Sequence, residues 1–184
     1  GGAYYQGIPI PDRRGTAGTG GGGGGGVQPT PRSPAHPNAP QPAQGGDGGS
    51  GVVIVAYQIG STGSAKATGG AISFYNGKTI HTFVQSGAFT TNAGFNETVE
   101  YVIVGGGGGG GAAGPNAYGA AGGGAGQMLV ASQSVSTPSS TPHAVLIGAG
   151  GSYSNATAVR AGTGVQSSVA FPGGTKYGNG GGGG

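Results

Sequence analysis

VEYVIVGGGGGGGAAG, residues 99–114, begins as a strand and runs into seven consecutive glycines. Val99–Val104 is a row of β-formers, whereas glycine has more conformational freedom to lose on ordering than any other residue. A second run of seven occupies Gly20–Gly26, and the sequence closes on five, Gly180–Gly184. Ordering one residue costs about 1–2 kcal/mol. Fifty ordered glycines would therefore cost of order 50–100 kcal/mol, with no side chain to bury in return. Two outcomes are physically reasonable. The runs stay flexible as linkers, or they pack backbone against backbone with every N–H and C=O satisfied laterally. A packed run would be a polyproline-II-like rod, about 22 Å long for seven residues at roughly 3.1 Å each. Packing is the expectation here: the strand delivers the chain into a rod.

Composition points the same way. There are 50 glycines and 12 prolines among 184 residues, and only 6% of residues are charged. Disorder usually combines high net charge with few apolar residues. Here the net charge is +3 and about a third of residues are apolar. The seven Lys and Arg are scattered, with only Arg13 and Arg14 adjacent, so the basic stripe of a nucleic-acid surface is missing. Without cysteine there is neither a disulfide staple nor a thiolate metal site. No apolar run is long enough to span a bilayer, so no membrane insertion is expected. The sequence lacks an initiator Met and reads as a piece of a longer chain. Joining Gly180–Gly184 to Gly1-Gly2 would make a third run of seven, which fits one unit of a tandem repeat cut inside its own glycine run.

Two segments follow. Residues 1–51 are rich in glycine and proline; Pro31, Pro34, Pro37 and Pro40 recur every third residue, the period of polyproline II. Residues 52–184 form a glycine-rich β module. VVIVAYQI (52–59) is a continuous apolar run of the kind buried on both faces of a sheet. Further strands are expected at 72–75, 79–84, 88–90, 99–104, 127–130, 143–147 and 165–171. Asn76-Gly77 is expected to close a two-residue hairpin with positive φ at both positions. No window carries a helical period. The fold class is thus all-β, a short-stranded sheet or sandwich combined with packed polyglycine rods, without helices. Its structural glycines are Gly20–Gly26, Gly105–Gly111 and Gly180–Gly184.

Catalytic patterns are not met. VLIGAGG (145–151) looks like a strand entering a dinucleotide turn, but the third glycine position of that fingerprint holds Tyr153. His36, His81 and His143 have no near partner at metal spacing. Glu97 and Glu100 are the only close acidic pair, and on a strand they point to opposite faces. No catalytic residue, cofactor site or metal site is assigned, and an enzyme is not expected. Tyrosines beside glycine-rich turns (Tyr4, Tyr5, Tyr118, Tyr153, Tyr177) are read as covers for exposed rod backbone, with stacking on a host sugar as the alternative.

The segment from Lys78 to Gly111 resembles the glycine-rich modules of bacteriophage tail fibres and related bacterial surface proteins. His81-Thr82-Phe83, Ser86-Gly87-Ala88-Phe89-Thr90 and Val99-Glu100-Tyr101 match that pattern in order. The resemblance implies a non-catalytic, extracellular, self-associating fibre or filament protein. In phage adhesins with polyglycine cores, loops between the glycine segments contact the host receptor. The matching positions are Pro115–Tyr118 and Tyr153–Arg160, so Tyr118, Tyr153 and Arg160 are the candidate contacts with a host glycan or protein. A single-copy receptor-binding adhesin is the alternative to a self-assembled filament.

Overall fold

The computed structural model describes residues 4–5, 8–9, 13–26, 44–60, 64–113, 119–156 and 159–184. The proline-period segment and Tyr118 lie outside the described residues. Among those described, every regular element is a strand. They are β1 (Tyr4–Tyr5), β2 (Ile8–Pro9), β3 (Val52–Gln58), β4 (Ala67–Thr68), β5 (Ala71–Tyr75), β6 (Lys78–Phe83), β7 (Gly87–Thr91), β8 (Phe95–Val104), β9 (Met128–Thr137), β10 (Thr141–Leu146), β11 (Ser167–Phe171) and β12 (Gly174–Gly178). β1 and β2 pair as a short antiparallel ladder inside the segment expected to be polyproline-II-like.

Two five-stranded antiparallel sheets carry the core. The first has the order β5-β6-β3-β8-β9 and the second β12-β11-β10-β7-β4. Alternation decides which side chains meet between them. Along β3, Val53, Val55 and Tyr57 are buried while Val52, Ile54 and Ala56 are half-buried on the opposite face. The continuous apolar run therefore does not mark a strand covered on both sides; among the described residues only one of its faces is buried in a core. The β5–β6 hairpin turns at Asn76-Gly77, with φ of 48° and 72° as a primed turn requires.

The centre of the core is aromatic. The Phe89 ring lies edge-on to His81 at 5.1 Å, to Phe95 at 6.1 Å and to Phe171 at 6.4 Å, and stacks on His143 at 6.0 Å. His81 is held in one tautomer. Its Nδ1–H donates to the Gly69 carbonyl at 2.7 Å, which leaves Nε2 to accept the Tyr57 hydroxyl at 3.2 Å. That hydroxyl in turn accepts the Lys66 amide at 3.0 Å. His143 Nδ1–H donates to the Ala170 carbonyl at 3.1 Å, and its buried Nε2 has no partner among the described residues. Burial lowers the pKa of both histidines below the usual 6.5, only partly opposed by these backbone bonds. Both are therefore neutral in the fold.

A pH prediction follows from that sign. An unfolded histidine takes up its proton near pH 6.5, before the buried one does. Stability is present above that pH and falls as pH drops, until the folded groups also protonate. Urea unfolding midpoints are expected to be flat from pH 8 to 7 and to fall steadily from about pH 6.5 to 5. Replacing either histidine should reduce that slope.

Candidate interaction surface: a polyglycine bundle

Six strands continue into, or are fed by, extended segments on one side of the sandwich. Segment 44–51 enters β3, 105–113 leaves β8, 119–127 enters β9, 147–154 leaves β10, 159–166 enters β11 and 179–184 leaves β12. A seventh, 20–26, joins them, and an eighth, 13–16, lies outside. Together they are a hydrogen-bonded bundle of rods.

Segment 105–113 is the axis, with Gly105–Gly111 all buried. Its amides donate to three neighbours in strict rotation. Gly105, Gly108 and Gly111 bond Gln127, Gly124 and Ala121; Gly106 and Gly109 bond Val165 and Gly162; Gly107 and Gly110 bond Gly49 and Gly46. Its carbonyls accept from three others. Gly181 and Gly184 donate to Gly106 and Gly109, Gly151 and Ser154 to Gly107 and Gly110, and Gly23 and Gly26 to Gly108 and Gly111. These bonds measure 2.8–3.1 Å. A repeat every third residue is the threefold screw of polyproline II. The register makes the three accepting rods antiparallel to the axis and the three donating rods parallel to it. The six also bond to one another in a closed ring, through pairs such as Gly49–Gly21, Gly48–Gly151, Gly162–Ser152, Gly164–Gly181, Gly124–Gly182 and Gly123–Gly23.

Sterics explain why glycine is required and where it is not. A Cβ at any of Gly105–Gly110 would overlap a carbonyl oxygen of a neighbouring rod. At Gly122 the nearest atom would be 3.4 Å away, and at Gly119 3.9 Å, because that side of the rod faces outward. The next residue in the same threefold row is Ala125, which carries a methyl. In segment 44–51 the outward row is Gln44, Asp47 and Ser50, and every residue between is a glycine whose Cβ would clash. The short sequence QGGDGGSG is a rod, written with a period of three.

The glycines named from sequence are thus brought together: Gly26 bonds Gly111 at 2.9 Å, Gly184 bonds Gly109 at 3.0 Å, and a Cβ at Gly20 would meet the Gly105 carbonyl. Gly180 packs against Gly164. Tyr153 and Arg160 sit near the bundle end remote from the sandwich. The Tyr153 amide donates to Asp47 Oδ1 at 3.0 Å, and the residue is 36% exposed. Arg160 Nε donates to the Gly183 carbonyl at 3.2 Å, and Arg14 approaches Asp47 Oδ2 at 4.0 Å. Elsewhere Lys66 pairs with Glu97, and Lys78 with Glu100 at 2.6 Å, on opposite faces of β8. Among the described residues no group of three or more His, Cys, Asp or Glu is placed to hold a metal ion, and no helix is long and apolar enough to cross a membrane.

A family model described as a glycine-rich domain matches residues 82–184, more than half of the chain. The chain belongs to the glycine-rich domain family. Within this glycine-rich domain, the match runs from β6 to the last rod and so contains the axial rod and four of its six neighbours. The remaining two rods, 20–26 and 44–51, precede the match yet complete the ring. No curated protein and no solved structure matches the chain significantly.

Proposed function

We propose that this glycine-rich domain is a non-enzymatic structural module of an extracellular glycine-rich filament or tail fibre, associating with copies of itself. The supporting observation is the closed ring of six rods around Gly105–Gly111. A lattice built of backbone alone gives a stiff projection of roughly 22 Å from a chain with few side chains, a mechanical property rather than a chemical one. Its small net charge, +3, leaves little repulsion between copies.

The alternative, a receptor-binding adhesin, draws on the up-and-down course of the rods. Gly26, Gln44, Ala113, Gly119, Ser154 and Val159 end or begin rods at the same remote end of the bundle. Tyr153 and Arg160 lie near that end, close to Ser154 and Val159.

Native-state hydrogen exchange tests the structural reading. The amides of Gly105–Gly111 are expected to exchange as slowly as those of β3 and β8, because each is buried and bonded. Exchange of this run at the rate of an unstructured peptide would make it a flexible spacer and end the proposal.

A further inference from the structure

The first sheet departs from the usual pattern of a half-exposed antiparallel sheet, apolar inside and polar outside. Cross-strand register places Ile54, Thr82, Val102 and Val130 in one outward row and Val52, Val104 and Met128 in the next. Ala56 and Ile80 share a third row with Glu100. Met128 and Val130 are 65% and 63% exposed and the other aliphatic residues are half-buried, with Gly20 lying against Val104 at the rod-side edge. Lys78 and Glu100, paired with each other, are the only charges facing outward on these strands, at the end far from the rods. The outer face of the second sheet differs: Ala88, Thr90, Ala144, Ala170 and Thr175 are small or polar, with Leu146 and Tyr177 the larger exceptions.

We infer that the outer face of β6-β3-β8-β9 is the surface through which two copies of this chain pair, sheet against sheet. This rests on the self-association reading and names its interface. Four strands about 4.8 Å apart and three rows about 6.8 Å apart give a face of roughly 20 by 20 Å, about 400 Å² when flat. Apolar patches of that size on single chains are often functional. Two such faces, with side-chain relief added, approach the roughly 1,200 Å² total of the smallest specific interfaces. A face with no unpaired charge can meet another copy of itself with nothing to repel it. The occupant is a second copy, and the dimer is a weak, reversible one.

Sedimentation equilibrium of the full chain tests this, alongside a double variant, Met128→Lys with Val130→Lys. Both positions are exposed on edge strand β9, so the fold should survive, as far-UV circular dichroism would verify. Wild type is expected to dimerise and the variant to do so at least about tenfold more weakly. Amide chemical shifts of wild type should also move on dilution, in β3, β8 and β9 first, a reading that needs no substitution. Wild type and variant associating equally, with no shift change in these strands, would overturn this interface while leaving self-association in place. A wild type that stays monomeric would overturn both. A chain lacking residues 27–43 that dimerises where wild type does not would identify that segment as the occupant, which also overturns the proposal.

Discussion

Gly108→Ala is expected to unfold the bundle. The new methyl would overlap the carbonyl oxygen of Gly182, which is backbone and cannot rotate away. Gly108 also donates to Gly124 and accepts from Gly23, so moving any one rod breaks bonds to the others. Overpacking a side-chain core typically costs about 1–3 kcal/mol because side chains can adjust. A lattice of backbone lacks that relief, and we expect a loss above about 4 kcal/mol, a large share of a domain's usual 5–15 kcal/mol. Gly122→Ala is the matched control. Its methyl would sit 3.4 Å from the nearest atom, at ordinary contact distance. Removing glycine's freedom from the unfolded chain should make that variant neutral or more stable by up to about 1 kcal/mol. Thermal melts of the two proteins, with hydrogen exchange across Gly105–Gly111, separate the outcomes. Equal melting temperatures would mean that the rods are not closely packed.

Phe89→Ala should produce the second large effect, about 3–5 kcal/mol in urea unfolding. Phe89 is fully buried and its ring adjoins Tyr57, His81, Phe95, His143 and Phe171, drawn from both sheets. No single neighbour can collapse into the space without opening another gap. The cavity would also lie against both neutral histidines. If water enters it, their desolvation lessens and their pKa values move back toward 6.5. The variant is then expected to be both less stable at pH 7.5 and less sensitive to acid than wild type. A loss below about 1 kcal/mol would contradict this description of the core.

Much of the sandwich can be read from sequence because its signals are local. The primed turn at Asn76-Gly77 and the β-branched runs of β3 and β8 fall where periodicity and turn chemistry put them. The errors lie where strand residues are polar or few. β9 runs to Thr137 rather than ending at Val130, since Ser132, Ser134 and Ser136 face solvent while Val135 and Thr137 face the core. β12, GTKYG, is a glycine-bearing edge strand with no apolar alternation, and β4 is two residues long. Polyglycine announces three rods, at 20–26, 105–111 and 180–184. The others needed a weaker signal, the outward row Gln44, Asp47, Ser50, whose period of three passes for loop composition. No local pattern reveals that six rods form a ring around a seventh, because their partners are set by strand order in two sheets. Of the candidate contacts, Tyr153 and Arg160 lie near the remote end, the first with its backbone amide bonded to Asp47 and the second with its Nε bonded to the Gly183 carbonyl.

The rotation of hydrogen bonds around Gly105–Gly111 gives the bundle a reading frame. Each amide addresses one of three neighbours according to its position modulo three. Three residues inserted at the far end of every rod would lengthen the projection by one turn, about 9.3 Å, and leave each bond with its present partner. One or two residues inserted within a rod would turn the rest by one or two thirds of a revolution, aiming donors at the wrong neighbours. Length can therefore vary only in whole turns, so rods of this kind come in a ladder of discrete sizes rather than a continuum.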